Sequence, residues 1–300
     1  MQYLKVQFYS NTEVVVVDQN EIGFLRRVLP TELLKDVHHL YSEEPNVSKA
    51  RNLGFVLSRG EYILFIDDDL QPDQDFCKRA VEVFKCYPTI SCLCPVAYFY
   101  PGKQLALSQL KRIRLKRRIP GTSLCQIKQI HSGAVFFRRD YFIQSGGYDE
   151  FVFRYARTAE DQELSFRMRK RGMCIWMDES LFIFHDESVP GGCDLRTQPY
   201  WATRERCVKS WALRYRLHST KVGRLSLQDI YHLSRSSFLN RGILKLGLTR
   251  VLEEARLLLG AVRDSDVYMK LHLKDYADVR QVNYLAPYFR EKEIRTRKGI

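Results

Sequence analysis

The stretch Tyr62-Ile63-Leu64-Phe65-Ile66-Asp67-Asp68-Asp69 decides the reading of this chain, because a short apolar run stops abruptly in three consecutive carboxylates. A run of this length, rich in Ile, Leu and Phe and bounded by Gly60 and Pro72, predicts a strand buried on both faces. In an extended segment residues i and i+2 share a side, so Asp67 and Asp69 would face one ligand while Asp68 turns away. Adjacent carboxylates repel one another unless a cation or a dense set of donors neutralises them. Hard oxygen ligands suit Mg²⁺ or Mn²⁺, commonly held by one or two carboxylates plus substrate phosphates. The octapeptide therefore points to a metal–diphosphate site. The plainer reading of the same residues is a solvated strand end followed by an acidic turn.

Working outward from this stretch, the order of elements supports the first reading. Upstream, Glu13-Val14-Val15-Val16-Val17-Asp18 is a strand ending in a carboxylate; residues 22–36 have apolar spacing close to helical, and residues 37–41 form a second apolar run. Residues 48–58 predict a helix, with Arg59-Gly60 as its stop. Strand, helix, strand, helix, strand implies parallel pairing with right-handed crossovers. Ligands of such open sheets bind beyond the carboxyl ends of the strands, where Asp18 and Asp67 to Asp69 would lie. Downstream, residues 75–87 predict a helix, residues 91–98 and 133–137 strands, and residues 138–145 a short helix ending at Gly146-Gly147. The basic run Lys111-Arg112-Ile113-Arg114-Leu115-Lys116-Arg117-Arg118 reads as an exposed helix or loop.

A second acidic group, Glu160-Asp161, stands at a predicted helix N-terminus, since Leu164 and Met168 lie one turn apart. The positive end of the helix dipole stabilises carboxylates there, which is explanation enough for many such pairs. A carboxylate so placed can also accept a proton from a substrate hydroxyl. Leu181-Phe182-Ile183-Phe184-His185 is an apolar run whose terminal imidazole could add a nitrogen ligand to a metal or a donor to a phosphate; a surface histidine is the alternative.

Three hundred residues with 45% hydrophobic content can bury a sizeable core. The eight cysteines are scattered and form no metal-ligand or disulfide pattern, so they read as reduced thiols of a cytosolic protein. No run of eighteen apolar residues and no signal peptide is present, which implies a soluble or membrane-peripheral chain. The net charge of +13 is uneven: residues 1–200 carry +2 and residues 201–300 carry +11. Such a surface attracts anionic lipid headgroups, phosphorylated substrates or nucleic acid without distinguishing among them. No base-reading motif accompanies it, so no specific nucleic acid is expected. Strand patterns fade from Pro199 onward and helical ones take over at 200–218, 227–234 and 242–263, which divides the chain into residues 1–198 and a basic helical region, residues 199–300.

In their order and spacing, four segments resemble glycosyltransferase family 2: residues 13–18, residues 48–69 with Ala50-Arg51-Asn52 and the three aspartates, residues 132–150 with Gly146-Gly147-Tyr148-Asp149-Glu150, and residues 160–172. The resemblance implies the GT-A fold, a Rossmann-like α/β domain with a mixed, mostly parallel sheet flanked by helices. It further implies a nucleotide-sugar co-substrate, by preference a UDP-sugar, and a divalent metal, Mn²⁺ or Mg²⁺. Asp18 then contacts the nucleobase and Arg51 approaches the nucleotide. Asp67 and Asp68 lie on the donor, Asp69 holds the metal with help from His185, and Asp161 is the catalytic base. Glu160, Gly146 and Gly147 fall on the acceptor side. The acceptor is a glycan, a lipid-linked glycan or another hydroxyl compound, met by a cytoplasmic enzyme with a peripheral contact to an anionic membrane.

Family members usually open with a strand, a Pro-Thr-Tyr-Asn-like turn and a helix, and Met1 falls inside that helix. Truncation, natural loss of the first strand, or a rebuilt N-terminus would each account for this departure. It leaves a rival from another class, a non-catalytic glycosyltransferase-like module that binds through its basic third.

Overall fold

The computed structural model of the chain describes residues 9, 11–35, 37–99, 103–104, 114–130, 133–156, 158–185, 200–218, 226–227, 229, 231, 248–277 and 283–290. Strands are β1 (Val14–Asp18), β2 (Val37–Tyr41), β3 (Tyr62–Ile66), β4 (Leu70–Pro72), β5 (Cys92–Phe99), β6 (Lys103–Gln104), β7 (Arg114–Arg118), β8 (Leu124–Ile127), β9 (Ala134–Arg138) and β10 (Ile175–His185). Helices are α1 (Phe24–Val28), α2 (Thr31–Leu34), α3 (Val47–Leu57), α4 (Phe76–Cys86), α5 (Arg139–Ser145), α6 (Glu150–Ala156), α7 (Glu160–Lys170), α8 (Tyr200–His218) and α9 (Leu248–Ala277).

The main sheet has the order β3-β9-β5-β10-β8-β7, with β4 on β10 and β6 on β5. β5 and β10 are parallel; β9 runs against both of its neighbours β3 and β5, and β8 against β10 and β7. Four of the six strands on this path, β3, β5, β10 and β7, therefore share one direction. The α/β architecture expected from the sequence is present, a mixed sheet with helices packed around it.

Three local expectations change. β1 pairs with β2 in parallel, as the strand–helix–strand order implies, but among the described residues this pair forms its own two-stranded sheet and β3 bonds only to β9. β3 is accordingly covered unevenly: Ile63 and Phe65 are buried, while Tyr62, Leu64 and Ile66 are half-buried. Residues 22–36 break into α1 and α2 because Pro30, which cannot donate a backbone hydrogen bond, stands between them. Of the basic run 111–118, residues 114–118 form an edge strand instead of a helix or loop. Arg114 and Arg118 pair in register with Ile127 and Cys125 of β8, and Arg118 forks onto Glu179. The expected helix at 227–234 falls mostly outside the described residues, as do residues 1–8 and 291–300.

The core under the sheet includes an aromatic cluster. Phe142 meets Phe55 at 4.7 Å and both Phe65 and Phe137 at 5.0 Å between ring centroids. These contacts press α3 and α5 onto β3 and β9, so the ends of β3 and α3 are held at a fixed distance. α3 begins where the Asn46 side chain accepts from the Lys49 amide. α5 ends at Gly146, whose φ of 81° only glycine adopts freely. Beyond the sheet, α8 packs on α9, and Arg204 is joined to Glu254 in a buried pair at 2.8 Å. The seven described cysteines are free. No helix among the described residues is long and apolar enough to cross a membrane.

Candidate active site

Four of the charged side chains singled out in the sequence, Arg51, Asp67, Glu160 and Asp161, meet where β3, α3 and α7 converge, and Arg51 is the residue that joins them. Its guanidinium donates to Asp67 Oδ1 at 2.9 Å from one nitrogen, and to Glu160 Oε1 and Asp161 Oδ1 at 3.3 Å each from the other. It stands 5.0 Å from the ring centroid of Tyr148, whose hydroxyl donates to Asp161 Oδ1 at 3.3 Å. The Arg51 side chain is 10% exposed, Glu160 14%, Asp161 22% and Asp67 42%. One end of this network is thus closed in protein and the other opens to solvent.

The three aspartates do not continue β3. The strand stops at Ile66, and Asp67 to Asp69 form a turn into β4, which returns antiparallel to the end of β10. The alternation of side chains expected along a strand therefore does not apply to them. The turn separates their partners instead: Asp67 bonds Arg51, Asp68 is exposed, and Asp69 Oδ2 lies 2.8 Å from His185 Nε2. The last contact follows from register, because Leu70, next to Asp69, pairs with His185 across β4 and β10. Gly133 makes room for the turn. Its φ is 65°, and a Cβ there would stand 2.6 Å from Asp67 Oδ2, while its carbonyl accepts from the Asp67 amide.

The donor set fits a hard divalent cation in part. Asp69 Oδ1 is buried with no hydrogen-bond partner among the described residues, and a carboxylate oxygen beside an imidazole nitrogen suits Mn²⁺ or Mg²⁺. No three such ligands converge among the described residues. Asp69 and His185 would supply two, with a diphosphate and water completing the shell, as is usual for these ions.

Asp18 lies apart from this cluster, at the end of β1. It is buried; Oδ1 accepts from the Asn20 amide and side chain at 3.0 and 2.8 Å, and Oδ2 sits 3.6 Å from His39 Nε2 without a hydrogen bond. Gly146 and Gly147, read from the sequence as acceptor-side, serve the backbone here. A Cβ on Gly147 would stand 2.7 Å from Leu285 and 2.9 Å from Asn52 Oδ1. The sequence reading gives no role to Tyr148, Asn52 or Gly133. Tyr148 sits inside a quoted motif, but its bond to Asp161 spans thirteen residues and leaves no local pattern.

The charges around Arg51 do not balance: one guanidinium faces three carboxylates. Like charges in a shielded site raise one another's affinity for a proton. Burial and then the Asp161 charge push Glu160 up to about 7, against the pull of Arg51. Burial also raises Asp161, which Arg51 and the Tyr148 hydroxyl draw back down. Burial opposes the charge on Arg51, yet Tyr148, Asp161, Asp67 and Glu160 together hold it firmly protonated. α7 adds the positive end of its dipole at Glu160 and Asp161, and Ala159 before them takes a left-handed φ of 81°, a strained setting for a non-glycine residue.

Residues 2–146 match the family described as Glycosyl transferase family 2. The "Glucosyl-dolichyl phosphate glucuronosyltransferase" of Haloferax volcanii is 26% identical over 154 residues, which cover 48% of this chain and 48% of that protein. The chain thus matches about half the length of this relative. Among solved structures, S. aureus TarS 1-349 in complex with UDP-GlcNAc aligns with 88% of this chain and 76% of its own at 16% identity, TM-score 0.55. The mannosyltransferase PcManGT from Pyrobaculum calidifontis, in complex with GDP-Man and Mn²⁺, aligns with 98% and 81% at 17% identity, TM-score 0.53. The family match spans residues 2–146, just under half of the chain, and the architecture is the GT-A fold shared with these solved structures.

A raised carboxyl costs stability once it ionises. Glu160 binds its proton more tightly folded than unfolded, so its contribution is present below the ordinary carboxyl value of 4.5 and is lost as pH rises towards about 7. Thermal midpoints should fall across this window more steeply in the wild-type chain than in Glu160→Gln, measured by circular dichroism. Parallel curves would remove Glu160 as the group that holds the proton.

Proposed function

We propose that this chain transfers a sugar from a nucleoside diphosphate donor, by preference a UDP-sugar, to an acceptor hydroxyl with inversion at the anomeric carbon. The observation that carries the reading is the Arg51 bridge, which sets Asp161 beside Asp67 and close to the turn bearing Asp69. In this reading Asp161 accepts the acceptor's proton as that oxygen attacks the anomeric carbon. The bond from that carbon to the diphosphate breaks, and its electron pair leaves with the diphosphate. Burial and the Asp161 charge raise Glu160 to about 7, while Arg51 and the Tyr148 hydroxyl favour the ionised form of Asp161. Asp67 and Asp68 take the donor side and Asp18 the nucleobase. Mn²⁺ or Mg²⁺ held by Asp69 and His185 would neutralise charge gathering on the diphosphate. The rival reading, a non-catalytic module acting through residues 199–300, has less support, because a binding module has no use for a carboxylate tuned by both Arg51 and Tyr148.

A positioned base contributes about 10²–10⁴ in rate. Asp161→Asn should lower kcat by that order with donor affinity nearly unchanged, while Asp69→Ala should abolish metal-dependent donor binding. Unchanged turnover in the first variant, or full Mn²⁺-dependent binding of UDP-sugar in the second, would remove the corresponding role.

The Haloferax relative's name supports a lipid-linked acceptor. A peripheral membrane contact would bring the chain to such an acceptor, and α9 offers a surface for it: Leu252, Leu259, Val267 and Leu271 are all exposed, with exposed Arg256 among them. The chain should float with vesicles containing anionic lipid and release in high salt. Failure to float at low salt would contradict the contact.

A further inference from the structure

The C-terminal segment is fastened to one short turn of the catalytic domain. Tyr268 of α9 and Tyr284 both donate to Asp149 Oδ2, at 2.5 and 2.9 Å, while Asp149 Oδ1 accepts from the Phe151 amide and starts α6. Asp149 is fully buried, so these donors replace the water its charge would otherwise need. The Tyr284 amide donates to the Gly146 carbonyl at 2.8 Å, and buried Leu285 lies against Gly147. Tyr288 donates to Glu150.

The other face of the turn is gripped equally. Asn52 of α3 accepts from the Tyr148 amide and donates to the Tyr148 carbonyl, both at 2.9 Å. Arg167, fully buried and paired with Glu163, donates to the Gly147 carbonyl at 2.6 Å and to the Ser145 carbonyl, with its guanidinium 5.0 Å from the Tyr284 ring centroid. Residues 145–149 thus have almost no freedom of their own, and Tyr148 is the residue that reaches from them to Asp161 and Arg51.

We propose that Tyr268 and Tyr284 are positioning residues for glycosyl transfer, acting through Asp149 on the 146–148 turn so that the Tyr148 hydroxyl stays on Asp161. Neither phenol touches the candidate base; each acts through the turn. The basic C-terminal third is then part of the catalytic apparatus as well as a surface. This assignment rests on the reading of Asp161 as the base.

The test uses the full chain with Tyr268→Phe, Tyr284→Phe and the double substitution, each of which keeps the ring and removes only the hydroxyl. Misplacing a catalytic group by about 1 Å can cost roughly 10²-fold in rate. The double variant should lose kcat on that scale while binding UDP-sugar with near wild-type affinity. The acid limb of its kcat profile should move to higher pH, because the Tyr148 hydroxyl that favours ionised Asp161 is no longer held there. If the double variant does not fold, Tyr284→Phe alone, which retains the Tyr268 bond, should give the same changes at smaller amplitude. A folded variant with wild-type kcat and an unmoved acid limb overturns the assignment. Should the wild-type chain transfer no sugar at all, the proposed function fails separately, and hydrogen exchange at the Tyr148 amide then decides. Faster exchange in the variants supports the grip on the turn, and unchanged exchange overturns it.

Discussion

A single guanidinium among three carboxylates is the constraint on which this site depends. Arg51 comes from α3, Asp67 from the turn after β3, and Glu160 and Asp161 from the start of α7. Without the cation, three negative charges on separate elements would face one another in a site largely shielded from water. Losing one partner of a buried ion pair commonly costs about 3–5 kcal/mol. With the cation in place, the ends of two helices and a strand are tied at distances set by two nitrogen atoms. The charge still does not close, and burial together with the Asp161 charge raises the affinity of Glu160 for a proton. Structure and ionisation are thus settled by the same arrangement.

The rest of the fold serves that arrangement from behind. The aromatic core around Phe142 fixes α3 against β3 and β9, so Arg51 and Asp67 reach each other. The pairing of β4 with β10 sets Asp69 against His185 by register. Asn52, one residue after Arg51, holds the Tyr148 turn, so α3 governs both the cation and the hydroxyl that flank Asp161. The long-range bonds from Tyr268 and Tyr284 close the same turn from the far side. A basic region that looks like a separate appendage in composition shares buried hydrogen bonds with the turn that carries Tyr148.

Much of this was legible in the sequence because local chemistry announces it. Val14 to Asp18 and Tyr62 to Ile66 are apolar runs ending in carboxylates. Glu160-Asp161 precedes helical spacing, and Gly146-Gly147 stops a helix. What escaped was decided by contacts distant in the chain. The alternation rule put Asp67 and Asp69 on one ligand, yet the chain turns there and gives them to Arg51 and His185. The bonds of Arg51 to Glu160 and Asp161 left no trace in the sequence, since nothing within α3 points to carboxylates over one hundred residues away. The basic run at 114–118 carries no strand signal of its own; pairing with β8 imposes one. Gly133 and Tyr148 have meaning only through Asp67 and Asp161, which no periodicity connects to them.

The claim that Arg51 unites Asp67 with the carboxylates of α7 is tested most directly by two double-mutant cycles, Arg51→Met with Asp67→Asn and Arg51→Met with Asp161→Asn. Denaturant unfolding would be measured above the pH at which Glu160 ionises. Contacting charged pairs give coupling energies of about 0.5–3 kcal/mol, whereas independent sites add to within about 0.5 kcal/mol. The account predicts coupling above that floor in both cycles. Additive effects in either cycle would mean that Arg51 does not join the two halves of the site, and would contradict it.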